Sequence, residues 1–60
     1  MNKYDFIKVG NTVYWCDPES VSDGEYKVIS VPEEIEDDSI ILIASDFSEA
    51  EVFPVELYPI

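Results

Sequence analysis

Apolar residues fall in four short runs along this chain, broken about every ten residues by prolines, glycines and acids, at the spacing of a small sheet folded on itself. The first run, residues 11–16, is β-branched and aromatic, and alternation sets Val13 and Trp15 on one face with Thr12 and Tyr14 on the other. Trp15 therefore reads as a buried anchor of the core. Residues 17–24 collect turn formers and acids around Pro18 and Gly24 and form the longest loop. Residues 25–31 carry Tyr26 and Val28 on one face but Ile29 and Val31 on the other, a change of parity that predicts a bulge.

Pro32 stops this second strand. Residues 33–38 hold five carboxylates in six positions and must form a solvated loop, because packed acids would repel one another. Crowding of like charge also predicts carboxylate pKa values raised above those of the unfolded chain. Within residues 39–45 the apolar run from Ile40 to Ala44 is unbroken, as expected of a central strand covered on both sides and more buried than the rest. Asp46, Phe47 and Ser48 then suit a tight connection. Residues 49–53 alternate, with Ala50 and Val52 inward and Glu49, Glu51 and Phe53 outward, before Pro54 ends the strand. Val55, Leu57 and Ile60, interrupted by Pro59, predict a short turn and a last edge strand.

Sixty residues make one domain, since a chain so short buries only about 60% of its unfolded surface and cannot be divided further. Its single cysteine, Cys16, has no internal partner, so the apolar core must hold the fold without a covalent staple. Residues 1–10 mix Asn2, Lys3, Asp5 and Lys8 with apolar residues and show no export signal, and residues 40–44 fall far short of the roughly 20 residues of a membrane-spanning helix. A cytoplasmic location is expected.

The pattern of Val9-Gly10, Val13 and Trp15, a long loop, Gly24, Tyr26 and Val28, an apolar third strand, then residues 49–53 with Glu56 and Leu57 resembles an SH3-like domain. The resemblance implies an all-β fold, a small five-strand SH3-like barrel, partly open, over residues 9–60, with residues 1–8 as a lead-in segment of the same 1–60 domain. The chain also resembles short uncharacterised proteins of gut Bacteroidales, through Gly10, Val13, Trp15, Asp17 and Pro18 at the opening and Ala50, Glu51, Val52, Glu56 and Leu57 at the close. That second likeness carries no activity with it. SH3 domains that bind proline-rich peptides keep an acidic first loop, matched here by Asp17, Glu19, Asp23 and Glu25. Their paired opening tyrosines are replaced here by Tyr4-Asp5-Phe6.

Fourteen Asp and Glu against three basic residues give a net charge of −11. Direct binding of nucleic acid or of an anionic membrane is excluded by the lack of a basic footprint, so any partner is expected to be a basic protein or peptide. Catalysis is equally unsupported. Without His, Arg or a second Cys the chain offers no imidazole base, no guanidinium clamp and no redox pair. No cofactor is implied, and the acidic run lacks both the alternating oxygens and the turning glycine of a calcium loop, so no dedicated metal site is expected. The reading that emerges is a non-enzymatic acidic interaction module. Its expected contact residues are Tyr14, Asp17, Glu19, Asp23, Glu49, Glu51 and Phe53, an aromatic rimmed by carboxylates being a receptor for Lys or Arg. The alternative is a nucleic-acid mimic that blocks a DNA-binding protein, which requires the acids to be concentrated on one face.

Overall fold

A computed structural model of the chain describes residues 3–20 and 23–60. Met1, Asn2 and, in the loop expected over residues 17–24, Val21 and Ser22 lie outside the described residues. The fold is all-β: β1 (Thr12–Trp15), β2 (Gly24–Ser30), β3 (Ile41–Ala44), β4 (Glu49–Val52) and β5 (Leu57–Pro59), with one turn of 3-10 helix at Pro54–Glu56. All pairings are antiparallel, and the five strands form one sheet in the order β4-β3-β2-β1-β5. β4 and β5 remain as edges, so the sheet is not closed into a barrel.

Each strand begins and ends where the sequence stops supporting a ladder. Gly10, at φ +93, takes a left-handed conformation that a side chain would strain, and its N–H donates to the Val28 carbonyl at 2.9 Å. In β2 the register slips between Val28 and Ser30, which makes Ile29 the bulged residue and turns it half outward. The change of parity in residues 25–31 has this origin. Pro54 ends β4 by entering the 3-10 turn, where it is buried and where the Glu56 N–H donates to the Phe53 carbonyl at 3.0 Å.

Val13, Val28, Ile41 and Ile43 are sealed at the centre of the core, and Tyr26, Val52 and Leu57 close around them. Tyr4 and Ile7 belong to the same core. The segment expected as a lead-in thus contributes two buried side chains to the core. β3 departs from expectation in a related way. Ile41 and Ile43 are buried, but Leu42 and Ala44 are only half-buried and Ile40 is exposed, since nothing among the described residues forms a second layer on the outer face. Trp15 is also half-buried. Its ring packs edge-on against Tyr26 at 5.5 Å between centroids, and its indole N–H donates to the Glu56 carboxylate at 2.9 Å, which draws it to the rim of the core.

Candidate functional site

The β1–β2 loop is organised by one residue. Asp17 is buried; its N–H donates to the Asp23 carboxylate at 2.7 Å, its own Oδ1 accepts the Glu19 N–H at 3.0 Å, and its carbonyl accepts the Ser20 N–H at 2.8 Å. This Asx-type turn ends with Ser20 at φ 57. Asp17, expected among the partner contacts, is thus buried and bonded within its own turn, as suits a short carboxylate next to a proline. Glu19 and Asp23 remain exposed.

The other expected residues stay on the surface but do not converge. Glu49 and Glu51 point outward from β4, and Phe53, 44% exposed, follows them. Tyr14 stands on β1 between Tyr58 of β5 and Glu25 of β2. Two strands separate β1 from β4, a spacing of about 14 Å at the usual interstrand distance. The expected patch is thus two patches.

Between them, on the outer side of the sheet where the β1–β2 loop approaches the β3–β4 turn, runs an open groove of about 760 Å³. Asp23, Glu25 and Asp46 line it with Lys27, Ile29 and Phe47. Phe47 is 95% exposed, at the tip of a turn closed by the Ser45 N–H on the Ser48 carbonyl at 2.8 Å and by Ser45 Oγ accepting the Phe47 and Ser48 N–H groups at 3.3 Å. A firmly hydrogen-bonded turn holds this ring in water. From the sequence, residues 46–48 read only as a connection; the signal for a surface role is a large aromatic at a turn tip too short to fold back on the core.

At the opposite end of the strands, Lys3, Tyr4 and Asp37 form a clasp between the N-terminal segment and the β2–β3 loop. The Tyr4 hydroxyl donates to Asp37 Oδ1, and Lys3 Nζ lies 3.2 Å from the same oxygen and 5.1 Å from the centre of the Tyr4 ring. The Tyr4 hydrogen bond, seconded by Lys3, holds the Asp37 carboxyl below its ordinary value, while Asp37 raises both Lys3 and Tyr4. For Asp37 this is opposite to the upward shift expected from the crowded acidic run: the hydrogen bonds from Tyr4 and Lys3, with the lysine's charge, outweigh the desolvation that opposes them.

Of the fourteen acids, only Asp17 is buried and Glu56 half-buried; the other twelve are exposed. Eleven of these stand toward opposite ends of the strands, with Glu19, Asp23, Glu25, Asp46 and Glu49 toward the β1–β2 loop and the β3–β4 turn and Asp5, Glu33, Glu34, Glu36, Asp37 and Asp38 toward the clasp; Glu51 lies between them on β4. Among the described residues no three His, Cys, Asp or Glu side chains are gathered as a metal site, and no helix is long and apolar enough to cross a membrane. Compared with known proteins, the chain matches no family model, no curated protein and no solved structure.

Proposed function

We propose that this chain is a non-enzymatic, SH3-like interaction module that meets a basic protein or peptide in the cytoplasm. The observation that carries the reading is the groove in which Phe47, almost wholly exposed, stands among Asp23, Glu25 and Asp46. Carboxylates at a rim steer a basic partner into encounter, and a central aromatic slows its departure. Lys27 is the one cation of the groove lining, so the field there is acidic. Imitation of nucleic acid is less well supported. The 4198 Å² surface and net charge of −11 leave about 380 Å² per net charge, against roughly 100 Å² on duplex DNA if its radius is taken as about 10 Å. Eleven of the twelve exposed acids also stand at two ends and not in one tract.

A fluorophore-labelled, lysine-rich peptide titrated at low and moderate salt tests the proposal. Glu25→Lys with Asp46→Lys should weaken binding at least tenfold and lower the association rate, whereas Glu33→Lys with Glu36→Lys, an equal change of net charge at the far end, should weaken it far less. Phe47→Ala should raise the dissociation rate about tenfold, or ~1.4 kcal/mol. Equal losses from the two charge-reversed pairs overturn the groove as the site. Absence of binding at low salt overturns the function.

A further inference from the structure

The outer edge of β4, an end strand of the sheet, has a specific hydrogen-bonding geometry. In the β3–β4 hairpin the Ser45 N–H bonds the Ser48 carbonyl, so residues 45 and 48 form a hydrogen-bonded pair. Pairs of that kind alternate along an antiparallel ladder, which makes Ile43 with Ala50 and Ile41 with Val52 the bonded pairs and leaves Ala44 with Glu49 and Leu42 with Glu51 unbonded. The backbone N–H and C=O of Glu49 and Glu51 therefore point away from β3. Neither residue makes another backbone hydrogen bond among the described residues, and Phe53 continues the extended line at φ −89 and ψ 146. The opposite edge is less suited, since β5 has three residues and its Pro59 has no N–H.

We infer that β4 accepts an extended basic segment of the partner as an additional antiparallel strand, with Lys or Arg at alternate positions directly opposite Glu49 and Glu51. This inference rests on the proposal that the partner is basic and adds how it is held. Charge complementarity selects the occupant: both carboxylates lie on the outer face, so two basic side chains spaced two residues apart meet them together, and the residue between them faces the half-buried Ala50. A second copy of the chain is rejected by the same charges. An antiparallel pair of β4 edges centred on Ala50 would set Glu49 against Glu51 twice, and a parallel in-register pair would stack like on like. Main-chain groups thus supply an edge that bonds any strand, while the two acids admit a basic one.

The probes are three capped nine-residue peptides of lysine alternating with threonine: unmodified, N-methylated on the lysines, and N-methylated on the threonines. In an antiparallel addition the residues opposite Glu49 and Glu51 turn their N–H groups to the edge, so methylated lysines should abolish binding while methylated threonines leave affinity within about threefold. On binding of the unmodified peptide, hydrogen exchange at the Glu49 and Glu51 amides should slow at least tenfold. Equal affinity of all three peptides, with no protection at those amides, overturns strand addition and leaves a basic partner held by charge alone. If none of the three binds at low salt, both the inference and the proposed function fall.

Discussion

Asp17 illustrates how a single carboxylate is assigned its role by its neighbours. Its side chain and backbone together close the turn that leads from β1 toward Ser20, so Asp17→Ala should destabilise the fold by about 1–2 kcal/mol, measured by urea unfolding, and leave the affinity for a basic peptide nearly unchanged. A loss of affinity without loss of stability would return Asp17 to the contact surface. Trp15 shows the same dependence on context. Alternation correctly pairs it with the Val13 face, but the indole N–H needs an acceptor, and Glu56 offers one only at the rim. Neither partner could be found from sequence, since Trp15 and Glu56 are brought together by the pairing of Trp15 with Leu57 across β1 and β5.

Among the elements, the N-terminal segment and the β2–β3 loop depend on each other through the Tyr4–Asp37–Lys3 clasp. Asp37 has a folded pKa below its unfolded one, so its contribution is present above the unfolded carboxylate value and is lost as pH falls through the folded value. Lys3 and Tyr4 are raised, so theirs are complete below their unfolded values and are lost as pH rises through the folded ones. The clasp is accordingly strongest through the neutral range. Asp37→Asn should lower Tm slightly at neutral pH, the pair being exposed to solvent, and the gap from the parent protein should close as pH drops below the folded value of Asp37. A gap that stays constant with pH would show that the clasp carries no stability.

For the whole molecule, charge and size pull in opposite directions. Twelve exposed acids surround a core of about ten side chains, and among the described residues one salt bridge, between Lys3 and Asp37, is made. Self-repulsion should therefore limit stability, and moderate salt should raise Tm through a Debye length that falls to about 10 Å at 0.1 M. Tm measured by circular dichroism across that range checks this; a level profile would mean that the acids are already far enough apart to ignore one another. The same salt should weaken the basic peptide, so stability and binding should move in opposite directions.

What the amino-acid order determined by itself was the all-β class, the five strands, the bulge in the second and the outward placing of Glu49, Glu51 and Phe53. These follow from local rules: alternation with a period of two, β-branched and aromatic preference, and the inability of proline to continue a ladder. The tertiary structure alone decided which faces found cover. It drew Tyr4 and Ile7 into the core, left Leu42 and Ala44 half-covered and moved Trp15 to the rim. It also separated Tyr14 from Glu49 by two strands and gathered Asp23, Glu25, Asp46 and Phe47 around one groove. The reason is that burial and proximity depend on strand order and on how a single sheet curves over its own core, and residues distant along the chain become neighbours only through that closure.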